Sequence, residues 1–130
     1  MSIDSDLHAL ATGKNFAALS TLAADGQPRT HIMWIDADDE HLLFNTEVHR
    51  SKFKDISRDP RATITVFNAA NPYQYVEARG RVVTTVTGDD ARAHIDALSQ
   101  RYTGGEYAGT IDSERVIVKF APEKLHKNGF

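Results

Sequence analysis

The sequence predicts a mainly β domain with helices: about six strands forming a small closed or half-closed barrel, with the helices at its periphery. Three observations predict it. Short apolar or alternating segments bounded by turn residues recur along the 130 residues. Asp25-Gly26 joins the first two as a tight hairpin. The helical patterns are short and lie before or between the strands, as peripheral elements do.

In chain order, Asp4 to Thr12 reads as a short helix with Leu7, Leu10 and Ala11 on one side and Gly13 as its stop, placed as a cap on the core. Phe16 to Ala24 is a strand, and Pro28 to Asp36 is its hairpin partner. In that partner Ile32-Met33-Trp34-Ile35 is a continuous apolar run, the pattern of a strand covered on both faces. Asp38-Asp39 turns the chain into a third strand, Glu40 to Asn45. A helix then starts near Val48 or His49 and ends at Asp59-Pro60, where proline opposes continuation. Arg61 to Asn68 follows, with Ala62, Ile64 and Val66 on one face. Tyr73 to Thr87 is a long strand in which Gly80 predicts a bulge or bend. Asp89 to Tyr102 is an amphipathic helix with Ala91, Ile95, Leu98 and Tyr102 inward and Asp89 or Thr87 as its cap. After a Gly104-Gly105 loop through Thr110, Arg115 to Phe120 is the last strand, and Pro122 to Phe130 a short basic tail.

This length suits one domain, residues 1–130, with one core, and small domains of this kind often build sites between two copies. The absence of cysteine excludes disulfides and thiolate metal sites. The first residues resemble no signal peptide, and no stretch approaches the roughly 20 apolar residues of a membrane span, so a soluble, cytoplasmic protein is expected. A net charge of −3 argues against a nucleic-acid binder. Six histidines show no local ligand spacing, so no metal site is predicted. Neither a P-loop, a G-x-G-x-x-G turn nor a G-x-S-x-G elbow occurs, so no catalytic nucleophile is predicted.

Against that acidic balance, Asn45 to Arg61 gathers Arg50, Lys52, Lys54, Arg58 and Arg61. A helix start carrying Arg50, Ser51 and Lys52 suits a phosphate, because first-turn N–H groups lack partners and these side chains add donors. The stripe Arg50, Lys54, Arg58 could follow an anionic tail, or simply be a solvated face. Asn45 and Thr46 leave the third strand beside that helix, and a flat ring could rest on Ile32 to Trp34, bonded by strand backbone. Taken singly, Trp34 is a core residue and Thr46 a helix cap.

The order of elements, with Asp25-Gly26-Gln27-Pro28, the run ending in Trp34, Asn45-Thr46 to Arg50-Ser51-Lys52, Asp59-Pro60-Arg61 and Glu77-Ala78-Arg79-Gly80-Arg81, resembles the pyridoxamine 5′-phosphate oxidase-like family over almost the whole chain. That resemblance implies a six- to seven-stranded split β-barrel of the FMN-binding type. It is most similar to the branch that uses the deazaflavin coenzyme F420, which implies a homodimer with two interfacial cofactor sites. Arg50, Ser51 and Lys52 would hold the phosphate with help from Thr46 and Asn45, Arg58 the tail, and Ile32, Met33 and Trp34 the ring. Tyr73 to Tyr75 and Arg79 of the partner would close the site. The arginine-containing C-terminal motif with which the vitamin B6 oxidases hold substrate has no counterpart in Lys124 to Phe130. The implied activity is hydride transfer from F420 to a small conjugated substrate. The alternatives are an FMN oxidoreductase of the same fold, or a non-catalytic cofactor or tetrapyrrole carrier using His31 or His49.

Overall fold

The computed structural model describes residues 2–130. Its elements are α1 (Ser5–Thr12), β1 (Phe16–Leu22), β2 (Pro28–Trp34), β3 (Asp36–Ala37), β4 (Leu42–Glu47), α2 (Ser51–Arg58), β5 (Arg61–Asn68), β6 (Asn71–Thr87), α3 (Asp89–Thr103) and β7 (Arg115–Asn128). The strands form one antiparallel sheet in the order β2-β1-β5-β6-β7-β4-β3. It curls into a split barrel.

The way the barrel closes positions the site. Residues 28–34 pair with β1 at one edge of the sheet, and residues 36–37 of the same run of chain pair with β4 at the other edge. The crossing occurs at Ile35, which is fully buried and whose N–H donates to the Tyr102 hydroxyl at 3.1 Å. Beyond that crossing β2 and β4 approach each other but share no ladder, so a wedge stays open between residues 32–34 and 45–46. Ile32 to Ile35 is therefore not covered on both faces, as its composition suggests: β2 is an edge strand and Ile32 is 64% exposed.

Alternation packs the interior. Leu19, Ile64, Val66, Val76, Ala78, Val116, Val118, Phe120 and Phe44 meet inside, and α1 closes one end with Leu7, Leu10 and Ala11. Each large side chain so buried contributes roughly 1.5–3 kcal/mol. Asp4 caps α1 by accepting from the Asp6 and Leu7 N–H groups, both at 3.1 Å. On the outside, Ile95, Leu98 and Tyr102 of α3 form a second cluster with Phe16, Trp34 and Tyr107. Gly80 sits where the β6–β7 register shifts, and a Cβ there would lie 2.0 Å from the Ala121 carbonyl oxygen.

Four local expectations are corrected. The third strand runs two residues later than predicted, ending at Glu47, and residues 36–37 become a separate strand. Helix α2 starts at Ser51, because Arg50 N–H turns back to the Glu47 carbonyl and Val48 N–H pairs with Glu114. Neither Asp89 nor Thr87 caps α3: Gly88 holds the cap position, with Asp89 and Asp90 in the first turn. Pro122 to Asn128 is no tail but the outer half of β7, paired with residues 75–80 of β6. No helix among the described residues is long and apolar enough to cross a membrane.

Candidate cofactor site

A cleft of about 310 Å³ fills the wedge between β2 and β4. Ile32, Met33 and Trp34 line it from β2, Asn45 and Thr46 from β4, and Arg50 and Lys52 from the start of α2. Phe16, Ile95, Leu98, Tyr107 and Arg115 complete the lining. One wall is aromatic. Trp34 stacks on Tyr102 with centroids 5.0 Å apart and planes 2° from parallel, and Tyr107 meets it edge-on at 6.4 Å.

One end is cationic and short of partners. Lys52 is 8% exposed, and no carboxylate pairs with it among the described residues. Burial, then the neighbouring charges of Arg50 and Arg115, pull its pKa down from 10.5 to about 8. Arg115 is also buried, which lowers its pKa from the ordinary value. Its guanidinium lies 5.3 Å over the Tyr107 ring and 3.5 Å from Glu47. Glu47 also accepts through Oε1 from the Asp112 and Ser113 N–H groups at 2.7 and 2.8 Å, while Oε2 is the oxygen that faces Arg115. Burial raises the Glu47 pKa, but those bonds and Arg115 outweigh it and hold the carboxylate below its usual range.

Thr46 Oγ1 is buried at the same end without a hydrogen-bond partner. A native structure rarely leaves a buried hydroxyl so. In α2, the Phe53 and Lys54 N–H groups both return to the Arg50 carbonyl, so the helix supplies no partner for those of Ser51 and Lys52. An orphaned hydroxyl, a buried unpaired lysine and two further cations that repel it fit a phosphate group.

A larger groove of about 590 Å³ lies on the barrel wall, lined in part by Arg61, Arg79, Arg81 and Lys124. It is a poorer anion site despite its size. Arg61 pairs with Asp59 at 2.7 Å, Arg81 with Glu123 at 3.1 Å and Arg79 with Glu77 at 3.7 Å, so these charges are already met in solvent.

The family model described as pyridoxamine 5′-phosphate oxidase matches residues 3–129. The chain belongs to that family. Among solved structures, this oxidase-family chain is similar to an F420 reductase, at 29% identity and a TM-score of 0.82, over 97% of this chain and 100% of the other. It shares the fold of a conserved hypothetical protein from Mycobacterium tuberculosis, at 20% identity and TM-score 0.73, covering 96% and 83% of the two chains. General Stress Protein 26 from Bacillus anthracis has the same fold, at 18% identity and TM-score 0.71, covering 95% and 91%.

Of the residues singled out from the sequence, Ile32, Met33, Trp34, Asn45, Thr46, Arg50 and Lys52 converge on the cleft of this family member, and Ser51 heads the helix beside it. Arg58 does not join them, and Tyr75 and Arg79, expected from a partner subunit, lie away from the cleft of their own chain. Arg58 stands at the far end of α2, bonded to the Leu22 carbonyl at 2.8 Å and to Asp55 at 3.2 Å. Tyr75 faces His126 on the outer β6–β7 ladder, and Arg79 lines the larger groove. Asn45 is not a free donor: its amide nitrogen is spent on Ala91 and His94. His31 and His49 lie outside the lining, and His49 Nδ1 is 2.6 Å from Ser113 Oγ. Arg115 and Tyr107 were not singled out. The one available signal was an arginine beginning the apolar run Val116-Ile117-Val118, where burial demands a partner or a ligand.

Proposed function

We propose that this protein is an F420-dependent oxidoreductase that reduces a small conjugated substrate. The observation that carries the reading is the buried, unpaired Lys52 beside Arg50, Arg115 and the orphaned Thr46 hydroxyl, at the foot of an aromatic cleft. Lys52, Arg50 and Arg115 would hold the phosphate, with Thr46 and the Ser51 N–H as further donors. The open edge of β2 would bond the ring through backbone groups, with Trp34 beside it. When bound, the deazaflavin supplies hydride chemistry, since it has carbon where a flavin has its reactive nitrogen. Tyr107 and Trp34 would exclude water from that end of the cleft, and no side chain need act as a nucleophile.

A homodimer belongs to the same proposal. Ile32 on the β2 edge and Tyr73 at the start of β6 are exposed large side chains, and a second copy would cover such positions while bringing Tyr75 and Arg79 to the site. The 29% identical F420 reductase supports the choice of cofactor. FMN remains the competing ligand, because a phosphate end and a flat ring describe both.

The test is an equilibrium titration of cofactor-free protein with F420 and, in parallel, FMN. Micromolar or tighter binding of F420 is expected, weakened by about 1.5–3 kcal/mol in Lys52→Ala, the size of a charged hydrogen bond. Preference for FMN would transfer the protein to flavin chemistry. Binding of neither, or an unchanged affinity in Lys52→Ala, would overturn the site.

A further inference from the structure

Arg115 differs from Arg50 and Lys52 in how it is aimed. Its Nε–H donates to Asn45 Oδ1 at 2.8 Å. The Asn45 amide is itself fixed by helix α3: Nδ2 donates to the Ala91 carbonyl at 2.8 Å and to His94 Nδ1 at 3.1 Å. An amide nitrogen has no lone pair to accept with, so His94 Nδ1 is the acceptor and the ring proton sits on Nε2. That proton goes to Asp36 Oδ2 at 3.0 Å.

Asp36 is held from its other side by Arg101, whose Nη2 donates to Oδ1 at 2.7 Å while Nη1 donates to the Ile35 carbonyl at 2.7 Å. Burial raises the Asp36 pKa, but the bonds from His94 and Arg101 outweigh it and lower the value. A continuous line of bonds thus runs from the β2–β3 crossing through α3 to the guanidinium at the cleft. Asp36, His94 and Arg101 do not line the cleft.

We infer that His94 is a positioning residue for anion capture, holding the Asn45 amide so that Arg115 is presented to the cleft. This rests on the proposal that the cleft takes a phosphate. Two anions compete for Arg115: the ligand, and Glu47 at 3.5 Å. With Asn45 held by both Ala91 and His94, its oxygen keeps the guanidinium turned from a closer pair with Glu47. Released from His94, the amide is anchored to α3 only by its bond to the Ala91 carbonyl, about which it rocks, and Arg115 relaxes toward the carboxylate. The cation is then spent within the protein.

Two substitutions separate this role from simple packing. His94→Asn places an amide oxygen where Nδ1 was and keeps the acceptor for Asn45. His94→Gln reaches toward Asp36 and leaves Asn45 without that acceptor. Both remove the ring. Titration with inorganic phosphate, read by the fluorescence of Trp34, the single tryptophan, measures the effect.

The expected result is near wild-type phosphate affinity in His94→Asn and an about threefold to tenfold loss in His94→Gln. In an Arg115→Met background the His94→Gln loss should shrink to less than about twofold, because the residue through which it acts is gone. Equal losses in both backgrounds, equal losses in His94→Asn and His94→Gln, or no loss in His94→Gln would overturn the positioning role alone, provided Lys52→Met and Arg115→Met still weaken binding. Failure of the wild-type protein to bind phosphate, or unchanged binding in those two variants, would overturn the anion site and this inference together.

Discussion

Replacing Lys52 by Met should make the ligand-free protein more stable and the liganded protein less so. A fall in pKa from 10.5 to about 8 means that the folded chain, without an anion, holds the lysine charge at a cost of roughly 3 kcal/mol below pH 8. Methionine keeps most of the stem and omits the charge, so a gain of about 1–3 kcal/mol is expected at pH 7, since buried unpaired charges exchange favourably for apolar groups. The sign with pH follows from linkage. Between about pH 8 and 10.5 the unfolded chain binds the lysine proton and the folded chain releases it, so the stability of the wild type relative to Lys52→Met rises through that window. Urea denaturation of both proteins at pH 7 and pH 10, without and then with saturating F420, measures all three effects. The advantage of the variant should shrink from pH 7 to pH 10 and reverse with ligand. A variant that is less stable at pH 7 in the absence of ligand, or a difference independent of pH, would refute the picture of an unpaired cation awaiting an anion.

Three further outcomes are expected. Thr46→Val should leave the ligand-free protein as stable or more stable, because its buried hydroxyl has no partner, while weakening F420 binding by about 0.5–1.5 kcal/mol; calorimetry of folding and binding separates the two. Gly80→Ala should cost about 3 kcal/mol or more by urea denaturation, since a Cβ 2.0 Å from the Ala121 carbonyl oxygen forces β6 and β7 apart. Glu47→Gln should lose about 1.5–3 kcal/mol at pH 7, where the carboxylate accepts two backbone N–H groups. Because the folded Glu47 pKa is depressed, that contribution is present above the unfolded value and disappears as pH falls through the folded one, so the two proteins should converge in acid denaturation curves.

Much of the fold was legible because it rests on local rules. The Asp25-Gly26 turn, the stop at Asp59-Pro60, the inward row Ala91, Ile95, Leu98, Tyr102 and the alternation of Ala62, Ile64, Val66 each express a constraint satisfied within a few residues. The cationic end of the cleft was half legible for the same reason, since Thr46, Arg50 and Lys52 lie on one short stretch that leaves a strand and enters a helix. Residues 122–128 were misread because their polar side chains are mostly exposed and show no apolar alternation, and their strand is defined by backbone pairing to β6.

What local pattern did not contain was decided by how the sheet closes. The run Ile32 to Ile35 has the composition of a doubly covered strand, yet it crosses from one edge of the sheet to the other, so Ile32, Met33 and Trp34 face an open wedge while Ile35 is buried. Arg115 reaches the cleft only because β7 pairs with β4, bringing it beside an Asn45 that is 70 positions away, and His94 bears on both only because α3 docks on that end of the barrel. Such neighbours share no periodicity in the chain. They are brought together by long-range pairing, and their energetics depend on a burial that exists only once the barrel has formed.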